Sequence, residues 1–259
     1  QYSYNKTSSN YASWNWKGGG TPSATNSAGA GNAPTSGSVM IDGSASTATL
    51  AGTIAADKIS ANTTLGFSIV NWVASSTASD TIGSGLGKKV EFLVTKSSTP
   101  RSWNVWHKDL PNNGYLHLNT TNAEMTPNGD RATVTNNTTF TAEGTSGNSM
   151  LAYCWHSVAK YSKIGSYTGG SSGKQVTGLG FQPRFLVIKR TDSAGGWRVQ
   201  DAKRLGTPPS DKNVLEWNDA AAEAVDYVDL AFDADGFTLN TTNADYNSSG
   251  GEYIYMALA

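Results

Sequence analysis

The chain repeats itself, and a repeat of this length restricts the fold to copies of one supersecondary unit packed together. Gly85-Leu86-Gly87, Val90–Lys96 and Trp103-Asn104-Val105-Trp106 return as Gly178-Leu179-Gly180, Arg184–Lys189 and Trp197-Arg198-Val199-Gln200. The offset is 93 residues at the first glycine (178 − 85) and again at the lysine (189 − 96). It grows to 94 at the tryptophans (197 − 103) and to 103 at the closing segments (253 − 150), where Met150–Trp155 answers Tyr253–Leu258. An offset that grows along the unit means insertions in the loops between fixed elements. A duplicated module points to a protein that displays surfaces more than to one with a single buried reaction centre.

The repeated segments are strands by pattern. Phe67–Val73 alternates aromatic and β-branched residues, as a half-buried strand does. Val90–Lys96, Ser102–His107, Tyr115–Leu118, Thr138–Thr141 and Met150–Val158 complete a first set of six. Ser162–Thr168, Phe185–Lys189, Trp197–Gln200, Val214–Trp217, Gly236–Leu239 and Glu252–Ala259 form the second. Turn chemistry separates them, as in Pro111-Asn112-Asn113-Gly114, where Asn and Gly accept positive φ. No stretch keeps a helical period, and Ala220–Ala224 offers one helical turn at most. The expected class is all-β, as tandem antiparallel β-sandwich units of jelly-roll type. Spacing leaves open whether each unit closes its own sandwich.

The expected organisation is residues 1–65 as the end of a preceding unit, a linker and short strands, then repeats at 66–160 and 161–259. Residues 18–38 are low-complexity Gly/Ser/Ala/Thr/Pro, and Val39–Ile59 carries one or two short strands. Tyr11–Lys17 reads as another closing strand, because Ser13-Trp14-Asn15-Trp16 answers Ala152-Tyr153-Cys154-Trp155.

Charged residues are only 15% of the chain and the net charge is −1, so no basic patch answers a phosphate backbone, and no nucleic-acid partner is expected. No apolar run approaches the roughly 20 residues of a membrane-spanning helix, so no membrane insertion is expected. Cys154, the one cysteine, lies in an apolar strand pattern and reads as a small buried hydrophobe. His107, His117 and His156 lack ligand spacing and read as surface histidines. Asp233-Ala234-Asp235-Gly236, at the end of an acidic run from Asp226, resembles a calcium-loop fragment but lacks the later bidentate Glu, so a turn is expected. The glutamates single out no glycosidase pair, and no nucleophile elbow, P-loop or dinucleotide fingerprint occurs. No catalytic residue, metal or cofactor is expected.

Eight tryptophans and eleven tyrosines in so weakly charged a chain are the remaining signal. Those at repeated positions are expected in the core. Trp72, Trp106 and Trp217 lack an aromatic counterpart in the other unit or face away from one, so these three are the expected glycan contacts.

Several of these segments together resemble a family. Gly66-Phe67-Ser68-Ile69-Val70, Phe92-Leu93-Val94-Thr95-Lys96, Trp103–Lys108, Tyr115–Asn119, Tyr161–Gly169 and Gly251–Ala257 resemble modules of tail-fibre and related virion proteins of phages, particularly marine phages. The likeness covers most of residues 60–259 and Tyr11–Lys17. It implies a non-enzymatic structural protein on the virion surface, outside the cell. Its implied partners are copies of itself in a trimer, other virion proteins, and a host-surface glycan or envelope protein. Capsid decoration, a tube component, or a secreted carbohydrate-binding adhesin module are the alternatives.

Overall fold

Phe67–Val73 has two buried faces, and that property builds the molecule. Phe67 and Ile69 pack to one side of the strand, and Val70 and Trp72 to the other. In the computed structural model, which describes residues 7–126, 131–134, 136–204, 213–225 and 227–259, the same doubling recurs through both repeats. Part of residues 1–65 and Asp226 thus lie outside the described residues.

The described residues form strands and no helix. In chain order these are β1 (Val39–Ile41), β2 (Ser44–Ala45), β3 (Lys58–Asn62), β4 (Phe67–Val73), β5 (Thr81–Gly83) and β6 (Phe92–Ser97). Next come β7 (Asn104–His107), β8 (Leu116–His117), β9 (Thr139–Thr141), β10 (Ser149–Trp155), β11 (Ser162–Thr168) and β12 (Lys174–Thr177). The last are β13 (Phe185–Arg190), β14 (Arg198–Asp201), β15 (Leu215–Glu216), β16 (Leu230–Asp233), β17 (Gly236–Leu239) and β18 (Glu252–Leu258).

One large sheet runs β2-β1-β3-β4-β10-β6-β7-β8, and the other runs β11-β18-β13-β14-β15. The path β4-β10-β6-β7-β8 and the whole second sheet follow the same route, each with the last strand of its repeat set between the first strand and the third. Pairing is antiparallel throughout, except where β1 lies parallel to β3. Two small sheets, β5-β9 and β12-β17-β16, accompany the large ones.

Three hydrophobic clusters join these sheets. Val70, Trp72, Leu93 and Met150 of the first large sheet pack with Ile82 and Phe140 of β5 and β9. Leu186, Ile188 and Tyr255 of the second pack with Val176, Leu230 and Phe237 of β12, β16 and β17. The third cluster seals the two large sheets to each other, with Phe67, Phe92, Val94 and Trp155 against Phe185, Val187, Ile254 and Met256. Hydrogen bonds cross the same seam, from Trp197 Nε1 to His117 O at 2.9 Å, Gly195 N to Thr121 O at 2.8 Å and Glu124 N to Thr191 O at 2.7 Å.

The repeated Gly-Leu-Gly now has a physical reason. Gly85, Gly87, Gly178 and Gly180 all have positive φ, between 64° and 82°, and the leucine between each pair is buried in its cluster. The turn aims an apolar side chain inward from a backbone conformation that disfavours other L-residues. A Cβ at Gly178 would meet nothing within 4 Å, so Gly178→Ala carries the conformational cost alone, about 1 kcal/mol in urea unfolding. At Gly85 the Cβ would sit 2.7 Å from Ile59 Cγ2, so Gly85→Ala costs more. Equal losses at the two sites would contradict this account. The repeated lysine is also explained, since Lys96 and Lys189 each donate Nζ to the carbonyl of the following residue, at 2.8 and 2.5 Å.

Two expectations are corrected. Tyr11–Lys17 forms no strand; it lies across the seam as an arm, with Trp14 and Trp16 packed against the third cluster. Ala220–Ala224 forms no helical turn; Ala224 instead bridges Val214.

Candidate functional site

Beside the seam of the two large sheets, several aromatic residues of the third cluster are left partly uncovered. They form a cleft of about 590 Å³. Its floor comes from the first large sheet, because β-alternation points Phe67, Ile69, Val94 and Tyr153 to the seam side. Phe67, Tyr153 and Trp103 lie in a row with nearly parallel rings. Centroids are 6.5 Å apart at 9° for the first pair and 6.4 Å apart at 17° for the second. Trp217, just after β15, brings in the second sheet and tilts against Phe185 at 6.1 Å.

The arm makes the remaining wall. Tryptophan side chains hold the arm against the third cluster. Trp16 meets Trp155 edge-on at 5.8 Å and Phe185 at 5.9 Å. Trp14 meets Phe185 at 5.7 Å, donates Nε1 to Asp201 Oδ2 at 3.1 Å, and lies under the Arg204 guanidinium at 5.4 Å. The Arg204 guanidinium beside Asp201 holds that carboxyl below the usual range, against the opposing effect of burial.

The cleft lining carries no charged side chain. Its polar groups are amides and indoles. Asn119 Oδ1 accepts the Trp103 backbone N–H at 3.0 Å, and Asn15 Nδ2 donates to Ser13 Oγ at 3.1 Å. The indole N–H groups of Trp16 and Trp155 are buried and have no acceptor among the described residues.

Of the three expected glycan contacts, Trp217 lies in this cleft, half-buried. The other two are interior. Trp72 is 0% exposed and meets Phe140 edge-on at 5.6 Å, and Trp106 is 5% exposed with Nε1 donating to Asn113 Oδ1 at 3.2 Å. Neither offers a ring face to a ligand. Trp106 lacks an aromatic counterpart, buried Gln200 standing at its place in the second repeat, whereas the strand registers put buried Tyr167 at the place of Trp72. Repetition assigns Trp14, Trp16, Trp103, Tyr153 and Trp155 to the core, whereas the structure places them around this cleft. The sequence signal that finds them is the alternation of Trp14 and Trp16 beside a Gly-rich linker.

The other candidate groups have structural roles. Cys154 is fully buried, and burial pushes its thiol up to about 12, well away from a reactive thiolate. Glu143 is buried and accepts hydrogen bonds from Thr95 Oγ1 at 2.5 Å, Asn104 Nδ2 at 3.0 Å and Ala132 N at 2.9 Å. Asp235 accepts from the backbone N–H groups of Gly178 at 3.1 Å and Gly180 at 2.6 Å, tying the β16–β17 turn to the Gly-Leu-Gly loop. Among the described residues no group of three His, Cys, Asp or Glu side chains is placed to hold a metal ion.

His107 is not a surface histidine. It is 1% exposed at the seam, with Phe92 edge-on at 5.9 Å and Nδ1 accepting the Asp109 N–H at 3.1 Å. Burial, outweighing the Asp109 carboxylate, lowers its pKa to about 4. The folded chain therefore binds this proton less readily than the unfolded chain, whose histidine titrates near 6.5. This contribution is complete above pH ~6.5 and is lost as the pH falls towards 4, by about 3 kcal/mol. Urea midpoints measured across that window fall more steeply for the native chain than for His107→Gln. Parallel profiles would show that the seam does not exclude the imidazolium.

The chain belongs to the family described as Domain of unknown function (DUF7483), which matches residues 32–259. No curated protein and no solved structure matches the chain.

Proposed function

We propose that this is a non-enzymatic structural protein of a phage virion, carried on a tail fibre or similar surface appendage and contacting the host envelope. The observation that supports this most directly is the shared route of the two large sheets, read here as tandem β-sandwich units of jelly-roll type at 66–160 and 161–259. Two such units sealed broad face to broad face make a stiff body, from which loops and clefts are presented to a partner. Weak contacts on such a body are multiplied when many copies are displayed together. Assembly with copies of itself, in a trimer, and with other virion proteins is part of the same reading. A native mass equal to the monomer removes the trimer.

Immunogold imaging of particles with antibody against this chain tests the location. Label on tails or fibres is the expected result. Label over the capsid reassigns the chain to decoration or a tube. No label on any particle leaves a secreted carbohydrate-binding adhesin module, a reading the uncharged aromatic cleft also favours.

A further inference from the structure

We propose that the cleft between the Trp14–Trp16 arm and the Phe67–Tyr153–Trp103 row is a binding site for a neutral oligosaccharide, taken up through the flat faces of its pyranose rings.

The ligand is neutral because the lining is. No Lys, Arg, Asp or Glu side chain lines the cleft, so an ionic ligand would give up hydration there without a counter-charge. It has flat apolar faces because the partly uncovered rings of Tyr153 and Trp103 do, lying within 17° of parallel. It carries hydroxyl groups because the polar side chains that line the cleft are the amides of Asn15 and Asn119. One acceptor of Asn119 is used by the Trp103 N–H, and its Nδ2 donates to no described residue. A molecule with apolar faces, a ring of hydroxyls and no charge is a neutral sugar. The volume of about 590 Å³ falls within the range of small-ligand sites.

The arm supplies one wall of the cleft through Trp14, Asn15 and Trp16. The inference rests on the reading of the chain as a surface-displayed binding protein, and its test needs no particle.

The test uses the full chain and titrates it with maltotriose, cellotriose, chitotriose and the anionic sialyllactose, following tryptophan fluorescence and ligand-observed NMR saturation transfer. At least one neutral trisaccharide is expected to bind saturably at millimolar or lower concentration, and sialyllactose is not. Trp217→Ala weakens that binding roughly tenfold. Asn119→Asp keeps the acceptor for the Trp103 N–H, and so the local fold, but places a charge in the cleft; it weakens binding at least as much. Failure of every neutral probe to bind overturns the proposal. Binding that survives both substitutions overturns this location. If the chain instead dimerises with concentration, with the tryptophan signal following dimerisation and unaffected by sugar, the cleft belongs to a second copy. Saccharide binding without label on any particle would remove the virion reading alone; label on particles without saccharide binding would remove this inference alone.

Discussion

Trp197→Ala lowers the stability of the chain by about 4 kcal/mol, read from the urea midpoint at neutral pH. The ring is 1% exposed and packs in the third cluster, 6.3 Å from Phe92 of the opposite sheet. Its truncation removes a large apolar surface, leaves a cavity between two stiff layers that cannot collapse, and orphans the His117 carbonyl it serves at 2.9 Å. Trp103 is the same residue of the first repeat, yet it borders the cleft and is half-buried. Trp103→Ala therefore costs much less, about 1 to 2 kcal/mol. Because the cluster is common to both large sheets, loss at Trp197 destabilises them together, and far-UV circular dichroism and fluorescence keep a common midpoint. A loss below about 1 kcal/mol, or separate transitions in the native chain, would show that the sheets are not joined as described.

Arg198→Ala has a comparable effect by a different route. The guanidinium forms ion pairs with Glu216 through one terminal nitrogen and with Asp245 through the other, and lies 4.7 Å from the Tyr227 ring centre. Its side chain is 9% exposed, and the carboxylates are 23% and 17% exposed. Asn218 Nδ2 and the Tyr227 hydroxyl hold the same two carboxylates, at 3.1 and 3.2 Å. Removing the cation leaves two partly buried anions facing each other, which typically costs about 4 kcal/mol, much more than a surface pair is worth. Adding Glu216→Gln and Asp245→Asn to the variant restores much of the loss, since the penalty lies in the uncompensated charge. A triple variant no more stable than Arg198→Ala would place the cost in lost packing instead.

The long strands of the two large sheets were legible because apolar residues recur along them; Phe67–Val73 and Ser162–Thr168 were read with their observed limits, as was Gly236–Leu239 of a small sheet. β5, β12 and β16 were not, because each is held by its partners more than by its own pattern. Thr81-Ile82-Gly83 and Lys174-Gln175-Val176-Thr177 contain one strongly apolar residue apiece, and Leu230–Asp233 sits in an acidic run that reads as a turn. These short strands form the small sheets, so the layers they complete could not be read from spacing. The arm failed in the opposite sense. Trp14 and Trp16 alternate like a strand, but their rings are satisfied by the seam with no backbone ladder. The cleft was invisible for a related reason. Repetition marks an aromatic as packed, and cannot tell a ring fully enclosed, like Trp197, from its equivalent left at the margin, like Trp103.

Duplication usually lets a protein lengthen one module at a time. A seam made from the broad apolar faces of both copies removes that freedom. A single unit would present Phe67, Phe92, Val94 and Trp155, or their counterparts, to water, an area large enough to seek any similar surface. Loss of one copy would therefore uncover the other's share of the seam and leave a molecule prone to stick rather than a shorter working one.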